Sequence, residues 1–132
     1  MPARAKKEEE IASSETFHRM IDRVKQSGVN FLAVDFDSTL ISIHTYGNYP
    51  GSAADLSSYI RPFFKRFIPM AIQNGIKVAI VTFSPQTKLI QSVLQQVFPE
   101  YSAVIPIRGR DLTWDYQGRG SIEGKRKSRS RI

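Results

Sequence analysis

Two short stretches of this chain are apolar without interruption, and each stops at a polar residue. Phe31-Leu-Ala-Val34 runs into Asp35 and Asp37, and Val78-Ala-Ile-Val81 runs into Thr82. Unbroken apolar runs of this length read as strands buried on both faces, as parallel sheets require. They predict strands over Asn30 to Asp35 and Lys77 to Thr82. Around them apolar residues recur at helical spacing. Phe17, Met20, Ile21 and Val24 predict a helix over Glu15 to Gln26, with Ser14 as N-cap and Gly28 as stop. Ile60, Phe63, Phe64, Phe67, Ile68 and Ala71 give a broad apolar face to a helix over Ala53 to Asn74, with Pro62 placed to break it and Gly75 to end it. Pro85 opens a helix through about Val97.

Ala103 to Ile107 reads as a third strand, with Pro106 marking an edge or an end. Asp111 to Tyr116 alternates like a hairpin arm, and Ile41 to Gly51 carries the Gly, Asn and Pro of an irregular loop. Strands alternating with helices predict an α/β fold with a mostly parallel sheet and right-handed crossovers. Ligands in such sheets bind beyond the carboxyl ends of the strands, where Asp35, Asp37 and Thr82 fall.

The length of 132 residues allows one domain, and the hydrophobic fraction of 41% suits a packed core. No run reaches the length of a membrane-spanning helix, and no apolar signal-peptide core opens the chain. Zero cysteines exclude disulfides and Cys-ligated zinc and agree with a cytoplasmic protein. The formal charge of +7 is unevenly placed: Arg119 to Ile132 holds six basic residues and one acid. The expected organisation is a flexible segment over 1–13, a domain over 14–117 and a basic flexible tail over 118–132. That tail suits an acidic partner or nuclear import and lacks aromatics interleaved for base stacking.

Two carboxylates as close as Asp35 and Asp37 repel unless a cation or shared proton relieves them, so the pair points to metal and proton chemistry. A strand-ending Asp alone would mean little. The whole stretch, Asp35-Phe-Asp37-Ser-Thr39-Leu after an apolar strand, resembles the first motif of the haloacid dehalogenase (HAD) superfamily, Asp-x-Asp-x-Thr. The resemblance implies a three-layer α/β/α Rossmannoid fold. It also implies a Mg²⁺-dependent phosphohydrolase acting on a phosphomonoester through an aspartyl-phosphate. Asp35 would be the nucleophile, and Asp37 the acid that protonates the leaving group and then activates water. Both would serve the metal. An acid in the Asp37 position belongs to the phosphatase and phosphomutase branch.

By the same resemblance Thr82 is the second-motif hydroxyl that contacts the phosphoryl group, with Ser38, Thr39 and Ser84 as further substrate contacts. The third-motif lysine maps best onto Lys125 and less well onto Lys88. His44, in the loop after the nucleophile, reads as an ordinary polar loop residue, with contact to substrate as the alternative. The fourth motif, one or two acids after another strand, has no counterpart after Lys125. The resemblance thus implies a C-terminally incomplete fold, weaker Mg²⁺ binding and lower activity. It also leaves the Phe31 to Val34 strand as an exposed edge open to homo-oligomer formation. The short stretch between Asp37 and Ile80 holds a flap but no cap domain, as in capless members of the superfamily. A rival expectation is a non-catalytic binding or scaffold protein that keeps the first half of the site.

Overall fold

The computed structural model describes residues 13–110, which form a mixed α/β unit around a small parallel sheet. Helix α1 (Ser14–Gln26) buries Phe17 and Ile21. Its N-cap is Ser13 rather than the expected Ser14, because the Ser13 hydroxyl accepts from the Thr16 N–H. Gly28 ends it in the left-handed region at φ +79, donating to the Lys25 carbonyl. Strand β1 (Phe31–Asp35) follows, then a wide turn over Phe36–Leu40 closed by the Ile41 N–H on the Phe36 carbonyl.

The expected helix over 53–74 is two helices. Helix α2 (Ala53–Ser57) is capped by the Ser52 hydroxyl, and α3 (Pro62–Gln73) starts on Pro62. Between them Ile60 leaves the helical path to bridge Ile41 antiparallel, while Arg61 donates its backbone N–H to the Leu40 carbonyl. Strand β2 (Lys77–Val81) leads to helix α4 (Thr87–Val97), which starts two residues beyond Pro85, with Gln86 at its cap position.

The third strand is corrected most. Residues Ser102–Val104 form a tight helical turn, and β3 is only Ile107–Arg108. Pro106 has no N–H for the ladder; its carbonyl instead accepts from the Ile80 N–H.

The sheet order is β1-β2-β3, all parallel, with Asp35 in register with Val81 and Val81 with Arg108. Val34, Val78 and Ile80 face one core cluster fed by Phe17 and Ile21 of α1, Ile68 and Ala71 of α3 and Val93 and Leu94 of α4. Phe31, Ala33 and Ala79 point to the other face by alternation, where Ala79 is fully buried. Among the described residues β1 pairs on one side only. No described helix is long and apolar enough to cross a membrane. The expected arm at Asp111 to Tyr116, Lys125, the basic tail and the 1–12 segment lie outside the described residues.

Candidate active site

Parallel pairing sets the site. Asp35 ends β1 opposite Val81, and Thr82 is the next residue along β2, so the two stand at the same carboxyl edge on strands about 4.8 Å apart. The turn after β1 returns Asp37 to that edge through an extended residue at Asp37 (φ −63, ψ 133) and a left-handed one at Ser38 (φ 58). Asp35, Asp37, Ser38, Thr82 and Ser84 line one open cleft of about 660 Å³, joined by His44, Tyr46 and Arg110.

Each polar group is held from behind. Asp37 Oδ1 accepts the backbone N–H and the hydroxyl of Thr45, both at 2.7 Å, so the loop after the turn hangs on this carboxylate. Arg61 donates its Nε to the Thr39 carbonyl at 2.9 Å and a terminal nitrogen to the Ser38 carbonyl at 3.3 Å, clamping the turn from outside. Thr39 does not line the cleft; its hydroxyl donates to Asp35 Oδ2 at 3.4 Å, which orients the acid. The structure thus places Thr39 beside Asp35 and outside the cleft lining.

Thr82 is only 2% exposed, and its Oγ1 accepts from the Ser84 N–H at 3.1 Å. A hydroxyl whose oxygen accepts from the backbone still has its own proton to give. Ser84 Oγ accepts from the Gln86 N–H at 3.1 Å and serves as much to start α4 as to line the cleft. The far wall depends on Gly109, where a Cβ would run into Thr87 Cγ2 and lie 2.8 Å from the Ser84 carbonyl. Only glycine lets the chain after β3 pass this close and bring Arg110 over the cleft, its N–H on the Ser84 carbonyl at 3.0 Å.

Sequence reasoning passed over three contributors. Arg110 lies two residues beyond the end of β3, so the rule of a polar residue stopping an apolar run points to Arg108 and misses it. Thr45 carried no signal, because only the fold brings it to Asp37. Gln86 carried none either: its side-chain amide accepts the Tyr49 N–H at 2.7 Å and donates to the Tyr49 carbonyl at 3.1 Å, tying the loop to the start of α4. Burial, then Tyr59 and Asp55, raises the Tyr49 phenol above its ordinary value, so it stays neutral at neutral pH. Lys88, on the exposed side of α4, does not line the cleft.

The donor set is two carboxylates with hard oxygens. It fits Mg²⁺, which is commonly held by one or two carboxylates, several waters and a substrate phosphate. Among the described residues no group of three or more His, Cys, Asp or Glu offers a fuller shell. Acids beside a hydroxyl donor and a guanidinium can bind a cation and an oxyanion together. No family model, curated protein or solved structure matches this chain.

Proposed function

We propose that this cleft is the site of a phosphohydrolase of the HAD type, on a Rossmannoid sheet, acting on phosphomonoesters. The observation that carries the reading is the gathering of Asp35, Asp37 and Thr82 in one cleft at the carboxyl edge of two adjacent parallel strands. The Asp35 carboxylate and the Asp37 backbone carbonyl would hold Mg²⁺, which would supply charge neutralisation for the phosphoryl oxygens and leave the Asp37 carboxyl to carry a proton.

In the first step an Asp35 carboxylate oxygen forms a bond to phosphorus and the bond to the ester oxygen breaks. Asp37 gives its proton to the departing oxygen, leaving an alcohol and an aspartyl-phosphate. In the second step water attacks the phosphorus, its proton passes to Asp37, and the bond to Asp35 breaks to release phosphate. Thr82 donates its hydroxyl proton to a phosphoryl oxygen, and the Arg110 guanidinium balances the phosphate charge. The two donors of Thr45 fix the aim of Asp37.

The test is hydrolysis of p-nitrophenyl phosphate by the whole chain, with Mg²⁺ and with EDTA, beside Asp35→Asn. Turnover that needs Mg²⁺ and disappears in Asp35→Asn is expected. A folded sample without turnover overturns the reading. The absence of a third acid near the pair among the described residues favours one rival, a protein that binds phosphate esters without cleaving them. Mg²⁺-dependent binding of phenyl phosphate with no release of phosphate would establish that rival.

A further inference from the structure

One side chain at the cleft has no part in the chemistry above and none in the core. Tyr46 is 84% exposed, the most exposed large hydrophobic residue described, yet its backbone is left-handed at φ 56. A bulky residue rarely adopts that conformation, and it persists only where the surroundings over-determine it. Here they do. Thr45 on one side is fixed to Asp37, and its carbonyl accepts from the Asn48 N–H at 3.1 Å. Gly47 on the other side is also left-handed at φ 73, and a Cβ there would come within 3.0 Å of Pro85. The loop spends conformational strain to hold a ring in water at the lip of the cleft.

The ring also has a neighbour. His44 packs against it with centroids 4.2 Å apart and planes 36° apart, and the Tyr46 N–H donates to His44 Nδ1 at 2.9 Å. With Nδ1 accepting, the proton of a neutral imidazole is on Nε2, so the His44 ring is fixed in tautomer and tilt. One face of Tyr46 is backed by His44, and the remainder is open at the mouth of a cleft whose floor holds Asp35, Asp37 and Thr82. An exposed aromatic face beside a reaction centre recognises a planar ring by offset stacking.

We infer that Tyr46, backed by His44, is a specificity platform for phosphomonoesters whose leaving group carries a planar aromatic ring. The inference rests on the phosphohydrolase reading. It adds the substrate class: the phosphate lies among the acids and Arg110 while the ring of the leaving group stacks on Tyr46. The platform also links selection to chemistry, because the loop that shows Tyr46 hangs on the general acid Asp37.

The experiment compares benzyl phosphate with cyclohexylmethyl phosphate, whose leaving alcohols are alike in length and acidity and differ in planarity. The whole chain with Mg²⁺ is assayed as wild type, Tyr46→Phe and Tyr46→Gly, and kcat/KM for benzyl phosphate is divided by that for the saturated ester. Wild type and Tyr46→Phe are expected to favour the aromatic ester about fivefold, with the preference in KM, and Tyr46→Gly to bring the ratio near one. Glycine takes a left-handed backbone without strain, so an unchanged or raised melting temperature in Tyr46→Gly separates lost stacking from lost folding. Equal efficiency on both esters in the wild type, or an unchanged ratio in Tyr46→Gly, overturns the platform and leaves the phosphatase standing. No turnover of either ester by wild type overturns the phosphatase, and the platform with it.

Discussion

Asp37 meets Thr45 through two short hydrogen bonds to a single carboxylate oxygen, so the hydroxyl and the backbone N–H can be separated by mutation. Thr45→Val keeps the shape and the N–H and loses the hydroxyl. A hydrogen bond to a charged group is worth about 1.5–3 kcal/mol, and Thr45 is buried. Thr45→Val is expected to lower kcat more than it raises KM, since it loosens the acid and not the ester. Arg110→Ala should do the reverse. Removing an exposed guanidinium from the cleft is expected to raise KM about tenfold, with kcat little changed. Steady-state kinetics on one aryl phosphate checks both, and parallel effects in the two variants would count against these separate roles.

At the scale of elements, much was legible because it follows from short-range pattern. The strands at Phe31 and Lys77 and the helix faces of Phe17 and Val93 are set by apolar spacing that the core then uses. The expected third strand failed because Ala103 to Ile107 reads as apolar while Pro106 can only accept, so pairing waits until Ile107. The break near Pro62 was legible, but the Ile41–Ile60 bridge that occupies it was not, since it joins residues far apart in sequence. Thr45 and Gln86 escaped notice for the same reason. Gly109 carries no signal in the sequence, yet it sets how closely the chain after β3 passes the β2–α4 loop. Gly109→Ala would force a Cβ against Thr87 and the Ser84 carbonyl. It is expected to destabilise by about 1–3 kcal/mol and to weaken phosphate binding, as Arg110 moves with it. Denaturant unfolding and KM measure the two effects. Gln86→Ala, which frees the Tyr49 backbone groups, should cost about 1–2 kcal/mol in the same unfolding assay.

For the molecule as a whole, the cleft gathers two carboxylates from one turn at the edge of a sheet that has three strands among the described residues. A divalent cation that binds only the folded cleft adds its binding free energy to the stability of the fold. At one hundred times its dissociation constant the linkage amounts to about 2.7 kcal/mol. In a domain of this size each kcal/mol moves the melting temperature by roughly 4–8 °C. Mg²⁺ titrated into wild type is therefore expected to raise the melting temperature progressively, whereas Asp35→Asn should respond much less. This readout needs no turnover, so it tests the metal site whether or not the chain cleaves an ester. Identical Mg²⁺ responses in the two proteins would remove Asp35 from the metal site.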